Sequence, residues 1–229
     1  MMITIQAEVF AIALIAFVLF VFMWLVNRAV KKSDVYAKPK GLVLVGLIYY
    51  KFILGLTEGN MNKRDAKVYA PYVGILALFL VTSNLSGLVG LSAQPTANLS
   101  VTLTLALITW IMIQRTKIVT NGFKAFLHGF IEPIPPFIIP NIFGFVAPLI
   151  SMSMRLFGNI TSGGTIMGLI YTFTGFLSSF IPLIGGVDVI GILVAPVFHF
   201  YFDVFSGLIQ TYIFLMLTTI FIGNELPQE

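Results

Sequence analysis

The sequence contains no cysteine, and that absence excludes disulfides, thiolate metal sites and cysteine nucleophiles together. Histidine is nearly as scarce: His128 and His199 are the only two, far apart in the chain, which speaks against a histidine-based metal site. No metal and no cofactor is therefore expected. Charge is the third shortage. Asp, Glu, Lys and Arg make up 10% of the 229 residues, whereas a soluble domain carries about 25%. A water-soluble protein of this size could not cover its surface with so few charges, so an ordinary cytosolic enzyme is excluded. Hydrophobic residues make up 58% of the chain, and the mean hydropathy is +1.00. The net charge of +4 does not indicate nucleic acid, because the basic residues are confined to short segments between apolar runs. That is the positive-inside pattern of a protein that crosses a lipid bilayer several times.

Residues 9–27 form an uninterrupted apolar run, long enough for one helix across a hydrocarbon core of about 30 Å. Its cations follow it (Arg28, Lys31, Lys32, Lys38 and Lys40), whereas a secretory signal has them before a shorter run. The run reads as a retained first span with its amino end outside. Residues 41–57 are apolar but short, are interrupted by Lys51 and have basic residues on both sides. They read as an amphipathic helix in the cytoplasmic interface. Residues 70–91 and 99–114 form a hairpin of two spans around the uncharged turn 92–98, and Arg115, Lys117 and Lys124 follow on the inside.

From residue 125 onward the only cation is Arg155, against the carboxylates Glu132, Asp188, Asp203, Glu225 and Glu229. Five prolines in 133–150 predict an irregular or kinked start to the next helix. Residues 133–181 and 189–222 are then the last two elements, broken at Pro182 and Gly185-Gly186. Both exceed the roughly 20 residues of a perpendicular crossing, and tilt takes up such excess. The expectation is an all-α polytopic membrane protein, one domain over 1–229. It has five transmembrane helices, one interfacial helix and two long, tilted, antiparallel C-terminal helices, with no internal repeat.

An arginine at the centre of a membrane helix costs about 2.5–3.5 kcal/mol on insertion scales. At about 100° per residue, Ser151, Arg155 and Asn159 stand one above another, and Ser162 continues the row. Such a row needs a partner or water, unless Arg155 merely snorkels to an interface. On the last helix His199, Asp203 and Gln210 fall within about 40° of each other on a uniform wheel. A carboxylate in a wet crevice can exchange protons; the bland alternative is an Asp–His bond that only ties helices together. Tyr201 and Tyr212 read as packing, and Asp188 as a solvated turn residue. No phosphate loop, no serine nucleophile with a base and no paired catalytic carboxylates occur. The chain is expected to move an ion rather than to make or break bonds.

The run Ser151-Met-Ser-Met-Arg-Leu-Phe-Gly-Asn159 resembles the signature of subunit a of the F-type ATP synthases, in its bacterial and chloroplast form. Mitochondrial members usually have alanine in place of Gly158. Thr82-Ser-Asn-Leu-Ser-Gly-Leu, Pro95-Thr-Ala-Asn-Leu-Ser-Val-Thr-Leu and Leu208-Ile-Gln-Thr-Tyr-Ile-Phe-Leu-Met-Leu-Thr follow in the family's order, so the resemblance covers about 70–222. It implies a non-hydrolytic, ion-translocating stator subunit with two half-channels. Arg155 would face the carboxylates of the c-subunit ring, Ser151, Asn159 and Gln210 would line the path, and Asp203 with His199 would serve the outer half-channel. The implied partners are the c ring, the peripheral-stalk subunit b, the rest of the F1Fo complex and the lipid bilayer. The implied location is a bacterial plasma membrane, or alternatively a thylakoid, with the carboxyl end inside. Two positions depart from many relatives: Gly164 and Asn141 stand where those carry acids. The competing class is a self-contained secondary transporter or channel, which would show inverted repeats or paired broken helices.

Overall fold

The computed structural model describes residues 7–34, 36, 38–89, 94–180 and 187–227. The start of the 92–98 turn, the break at Pro182 and Gly185-Gly186, and Glu229 lie outside them. The described residues are helical and turn structure without a strand. They form α1 (Ala7–Lys32), α2 (Leu42–Glu58), α3 (Lys63–Leu85), α4 (Leu99–Asn121), α5 (Phe123–His128), α6 (Ile138–Ser178), α7 (Val189–His199) and α8 (Ser206–Gly223). A π-helical segment, Phe200–Phe205, joins α7 to α8 without a break. Five stretches are long and apolar enough to cross a membrane: Glu8–Lys32, Lys63–Leu88, Leu99–Asn121, Pro135–Ser178 and Val189–Gly223. The protein is a multi-pass, all-α membrane protein.

Local chemistry sets the helix boundaries. Asn62 caps α3 by accepting the Asp65 N–H at 2.9 Å, and Asn98 caps α4 by accepting the Ser100 N–H at 2.9 Å. Each meets one of the backbone donors that the first turn leaves free. Gly122, at φ 83°, makes the turn from α4 into α5, a conformation that side chains with a Cβ resist.

The core is built around α3. Ala70, Val73, Leu76, Ala77 and Leu80 of α3 meet Ile53 of α2, Ala106 of α4, Met152 and Leu156 of α6, and Phe214 and Leu215 of α8. Fully burying one such side chain contributes about 1.5–3 kcal/mol in water. In lipid that term is largely absent between helices, and close packing with interhelical hydrogen bonds takes over. Both are present. A Cβ on Gly207 would lie 3.2 Å from Asn84 Cβ, so glycine lets α8 approach α3 closely. The Asn84 amide then donates to the Gly207 carbonyl (3.1 Å) and to Thr211 Oγ1 (3.0 Å). Tyr49 of α2 donates to the Gly74 carbonyl of α3.

The proline-rich segment is more regular than its composition predicts. Only the stretch through Phe137 is irregular; α6 then runs unbroken from Ile138 to Ser178, through Pro140 and Pro148. Pro140 sits in the first turn, where the missing N–H has no helical acceptor to lose. Pro148 leaves the Gly144 carbonyl without its helical donor. One residue along, Trp110 of α4 donates its indole N–H to the Phe145 carbonyl at 2.8 Å and packs edge-on against the Phe145 ring.

Candidate functional site: a polar seam between the last two helices

α6 and the α7–α8 helix run antiparallel, and their polar contacts form a ladder. Asn159 donates to the Ser206 carbonyl (3.4 Å), and the Ser206 hydroxyl donates to Asn159 Oδ1 (3.1 Å). A Cβ on Gly163 would be 3.7 Å from Phe202 Cβ. Higher up, the Tyr171 hydroxyl and His199 Nε2 are 2.6 Å apart, and His199 Nδ1 and Asp203 Oδ2 are 2.6 Å apart. At the outermost rung Asp188 accepts from Thr174 Oγ1 (2.6 Å), Ser178 Oγ (2.8 Å) and the Gly191 N–H (2.7 Å), capping α7.

Asp188 is therefore not the solvated residue the sequence suggests; it ties the end of α6 to the start of α7. The Thr174 hydroxyl holds its carboxyl below the usual carboxylate range, helped by the Gly191 N–H and Ser178 and opposed by partial burial.

Arg155 lies on the open face of α6. Its neighbours Met152 and Leu156 are 1% and 0% exposed, while Ser151 and Arg155 are exposed. The guanidinium donates to Ser151 Oγ at 3.3 Å. Among the described residues no carboxylate comes within ion-pair distance of it. The row read from spacing does exist, but its members have different partners. Ser151 and Arg155 hold each other, Asn159 bonds across to Ser206, and Ser162 returns its hydroxyl to the Asn159 carbonyl.

The single face expected for His199, Asp203 and Gln210 requires correction. One π turn inserts about one extra residue of phase, roughly 100°. Phe200–Phe205 introduces that offset between His199 and Gln210. His199 and Asp203 remain together, whereas Gln210 is 4% exposed and precedes Thr211, the residue that holds Asn84. By the ladder Gln210 is level with Arg155, yet no hydrogen bond joins them, and Gln210 Nε2 has no protein partner. Ser83 Oγ, Asn84 Oδ1 and Thr96 Oγ1 are likewise buried without a partner.

The two positions that depart from many relatives have different surroundings. The Asn141 amide donates to the Gly129, Phe130 and Glu132 carbonyls at 3.3, 3.0 and 2.8 Å. An ionised acid there could not donate to any of them. Gly164 is exposed, with open space where a Cβ would stand. Tyr171 is the functional candidate that sequence reasoning missed. It lies off the Arg155 row, and no spacing rule joins a tyrosine on one helix to a histidine on the next.

At the opposite end a cavity of about 360 Å³ opens between α4, α5, the start of α6 and the end of α8. Gln114, Lys117, Asn141 and Glu225 line it, with Lys117 Nζ 3.5 Å from Glu225. Among the described residues there is no cluster of His, Asp and Glu that could hold a metal ion.

Comparison with known proteins agrees with this architecture. The sequence model of the family described as ATP synthase A chain matches residues 3–223. A Mycoplasma genitalium protein named ATP synthase subunit a is 34% identical over 223 residues, covering 92% of this chain and 76% of that protein. A protein of the same name from Streptococcus pneumoniae is 30% identical over 226 residues, covering 94% of this chain and 89% of its own length.

Proposed function

The chain belongs to the ATP synthase A chain family, and from that premise we propose that it is the proton-translocating stator of a rotary F-type ATP synthase. As subunit a of the F1Fo complex it hydrolyses nothing; it couples ion flow to rotation of a partner ring. The observation that carries this reading is Arg155: a permanent cation on the open face of a membrane helix, with no carboxylate partner of its own among the described residues. Leaving such a group against lipid is costly. A passing carboxylate from a ring of c subunits meets that cost intermittently and defines the function.

Two unit charges 4 Å apart interact by about 4 kcal/mol at an effective dielectric of 20, equivalent to about three pKa units. Arg155 therefore drives a ring carboxylate to release its proton as it arrives. It also stands as a fixed positive barrier between two half-channels. The outer half-channel delivers protons through Asp203 and His199, and water reaches it past the unpartnered polar atoms of Thr96, Ser83 and Asn84. Gln210 and Asn159 flank the level of Arg155, and Ser151 orients its guanidinium. The inner half-channel leads past Ser151 toward the cytoplasm. Subunit b is the second membrane partner. The location is a bacterial plasma membrane, consistent with the two bacterial relatives.

Purification tests the reading directly. The tagged chain, extracted in mild detergent, should bring with it a proteolipid ring and a soluble ATPase head. Isolation as a lone carrier that transports ions by itself would establish the secondary-transporter class instead.

The loop cations set the orientation. The amino end is outside, α2 is at the inner interface and the carboxyl end is cytoplasmic. Because the chain has no cysteine, single cysteines report cleanly. Ala97→Cys and Lys124→Cys, both at exposed positions, should react with an impermeant maleimide from opposite sides, the first from outside and the second from the cytoplasm. Labelling of both from one side would sink the topology.

A further inference from the structure

We infer that Tyr171 is a positioning residue for proton uptake: its hydroxyl holds the His199 ring so that the opposite nitrogen stays on Asp203, completing a three-group relay into the outer half-channel. The inference rests on the proposed role of Asp203. Three observations carry it. The two contacts are short and in series, Tyr171 hydroxyl to His199 Nε2 at 2.6 Å and His199 Nδ1 to Asp203 Oδ2 at 2.6 Å. Exposure falls from the His199 side chain, at 39%, to the Asp203 side chain, at 20%, and Tyr171 beside His199 is exposed. And the π turn keeps His199 and Asp203 together while Gln210 turns away, at the kind of single π turn that recurs at functional sites.

The chemistry follows from what each group can donate. An ionised carboxylate only accepts, so neutral His199 gives its Nδ1–H to Asp203 and leaves Nε2 as an acceptor for the Tyr171 hydroxyl. When a proton from outer water binds Nε2, the same hydroxyl turns and accepts the new Nε2–H. The imidazolium then passes its Nδ1 proton to Asp203 and is left neutral as the Nε2–H tautomer; once Asp203 has passed that proton on, exchange with water moves the remaining proton back to Nδ1 and resets the ring. One proton has entered at Nε2 and one has left at Nδ1, and the hydroxyl has held the ring in both states. A carboxylate could accept but not donate, and phenylalanine could do neither. The second partner of a histidine ring commonly sets its tautomer and orientation in this way.

Few other groups compete. Asp203 is the charged group facing His199 from its own helix, and Tyr171 is the titratable one facing it from α6. Asp188 is committed to Thr174, Ser178 and the Gly191 N–H. The outer end of α3 presents the neutral Ser83 and Asn84. Tyr201 stacks on Phe205.

The test uses the complete F1Fo complex in proteoliposomes with the soluble head facing the medium. ATP synthesis is measured at constant membrane potential against the pH of the lumen, onto which the outer half-channel opens and which is the external pH of the uptake side. Tyr171→Phe keeps the ring and removes only the hydroxyl. At mildly alkaline external pH, where uptake limits, synthesis should fall roughly tenfold, the low end for loss of a group orienting a proton-transfer residue. At acidic external pH the higher proton concentration compensates, and the limiting rate should return to within about twofold of the parent, since only uptake is impaired. The double variant Tyr171→Phe/His199→Ala should be no slower than His199→Ala, because the hydroxyl acts through the ring. A fall by the same factor at every pH would mean a structural hydroxyl and would overturn the inference, as would additive losses in the double variant. An unchanged profile in Tyr171→Phe beside an impaired Asp203→Asn would also overturn it, while leaving the role of Asp203 intact. An unimpaired Asp203→Asn would remove the premise itself.

Discussion

Arg155→Ala is expected to abolish ATP synthesis and ATP-driven proton pumping while leaving the complex assembled. The loss should exceed about 100-fold, the scale seen when one preorganised electrostatic group is removed from a reaction centre. Assembly should survive because Arg155 contributes little to the fold: it is exposed and donates only to Ser151. Function should not survive. Without the cation an arriving ring carboxylate has no reason to release its proton, and nothing repels a proton crossing directly from one half-channel to the other. A passive proton leak should accompany the loss.

Arg155→Lys separates this role from snorkelling. Either cation can reach an interface, so a snorkelling residue would tolerate the exchange. Lysine carries a smaller, more strongly hydrated head that can deprotonate when buried, whereas arginine stays charged. Lysine should therefore be nearly as damaging as alanine. ATP-driven acidification of inverted vesicles, with assembly followed in parallel, decides the matter. Near-normal pumping by an assembled Arg155→Ala complex would overturn the stator reading.

Asp203→Asn carries the second large effect. The amide keeps the size and shape of the carboxylate, and its Oδ1 can still accept the His199 Nδ1–H. The contact between His199 and Asp203 should persist, and with it the packing of α7 against α6. What the amide cannot do is take up and release a proton near neutral pH. Removing a positioned acid–base group costs typically about 10²–10⁴-fold. Here the loss is expected within that range, because His199 is left with no acidic group to take its proton. Coupled synthesis at the parental rate in Asp203→Asn would show that the acid is structural and that the outer path runs elsewhere.

Legibility in the sequence varied with the range of the physics involved. The hydrophobic runs and loop cations predicted the crossing stretches because lipid requires about 20 apolar residues wherever a helix spans. Arg155 stands out in the sequence for the related reason that a lone cation in such a helix is costly. Asp188 reads differently in the structure, because its three hydrogen-bond partners come from two helices, α6 and α7. Asn141 looked like a missing acid until its three carbonyl partners were visible. The prolines of 133–150 predicted more irregularity than occurs, since Pro140 falls in the first turn of α6, where no helical bond is lost, and Pro148 removes only one bond from a long helix.

The class of the protein, its crossing segments and the lone cation of its last two helices are written in local composition, because the bilayer imposes one rule on every residue it surrounds. Which polar groups meet is a different kind of information. A wheel drawn at a constant 100° per residue joined Gln210 to His199 and Asp203. The π turn at Phe200–Phe205 takes Gln210 out of that phase and leaves His199 between Asp203 and Tyr171. A shift of one residue in phase leaves hydropathy unchanged and alters every partner beyond it. It is resolved by packing between helices, where Gly207 closes on Asn84 and Gly163 lies against Phe202, and by nothing within the helix that carries it.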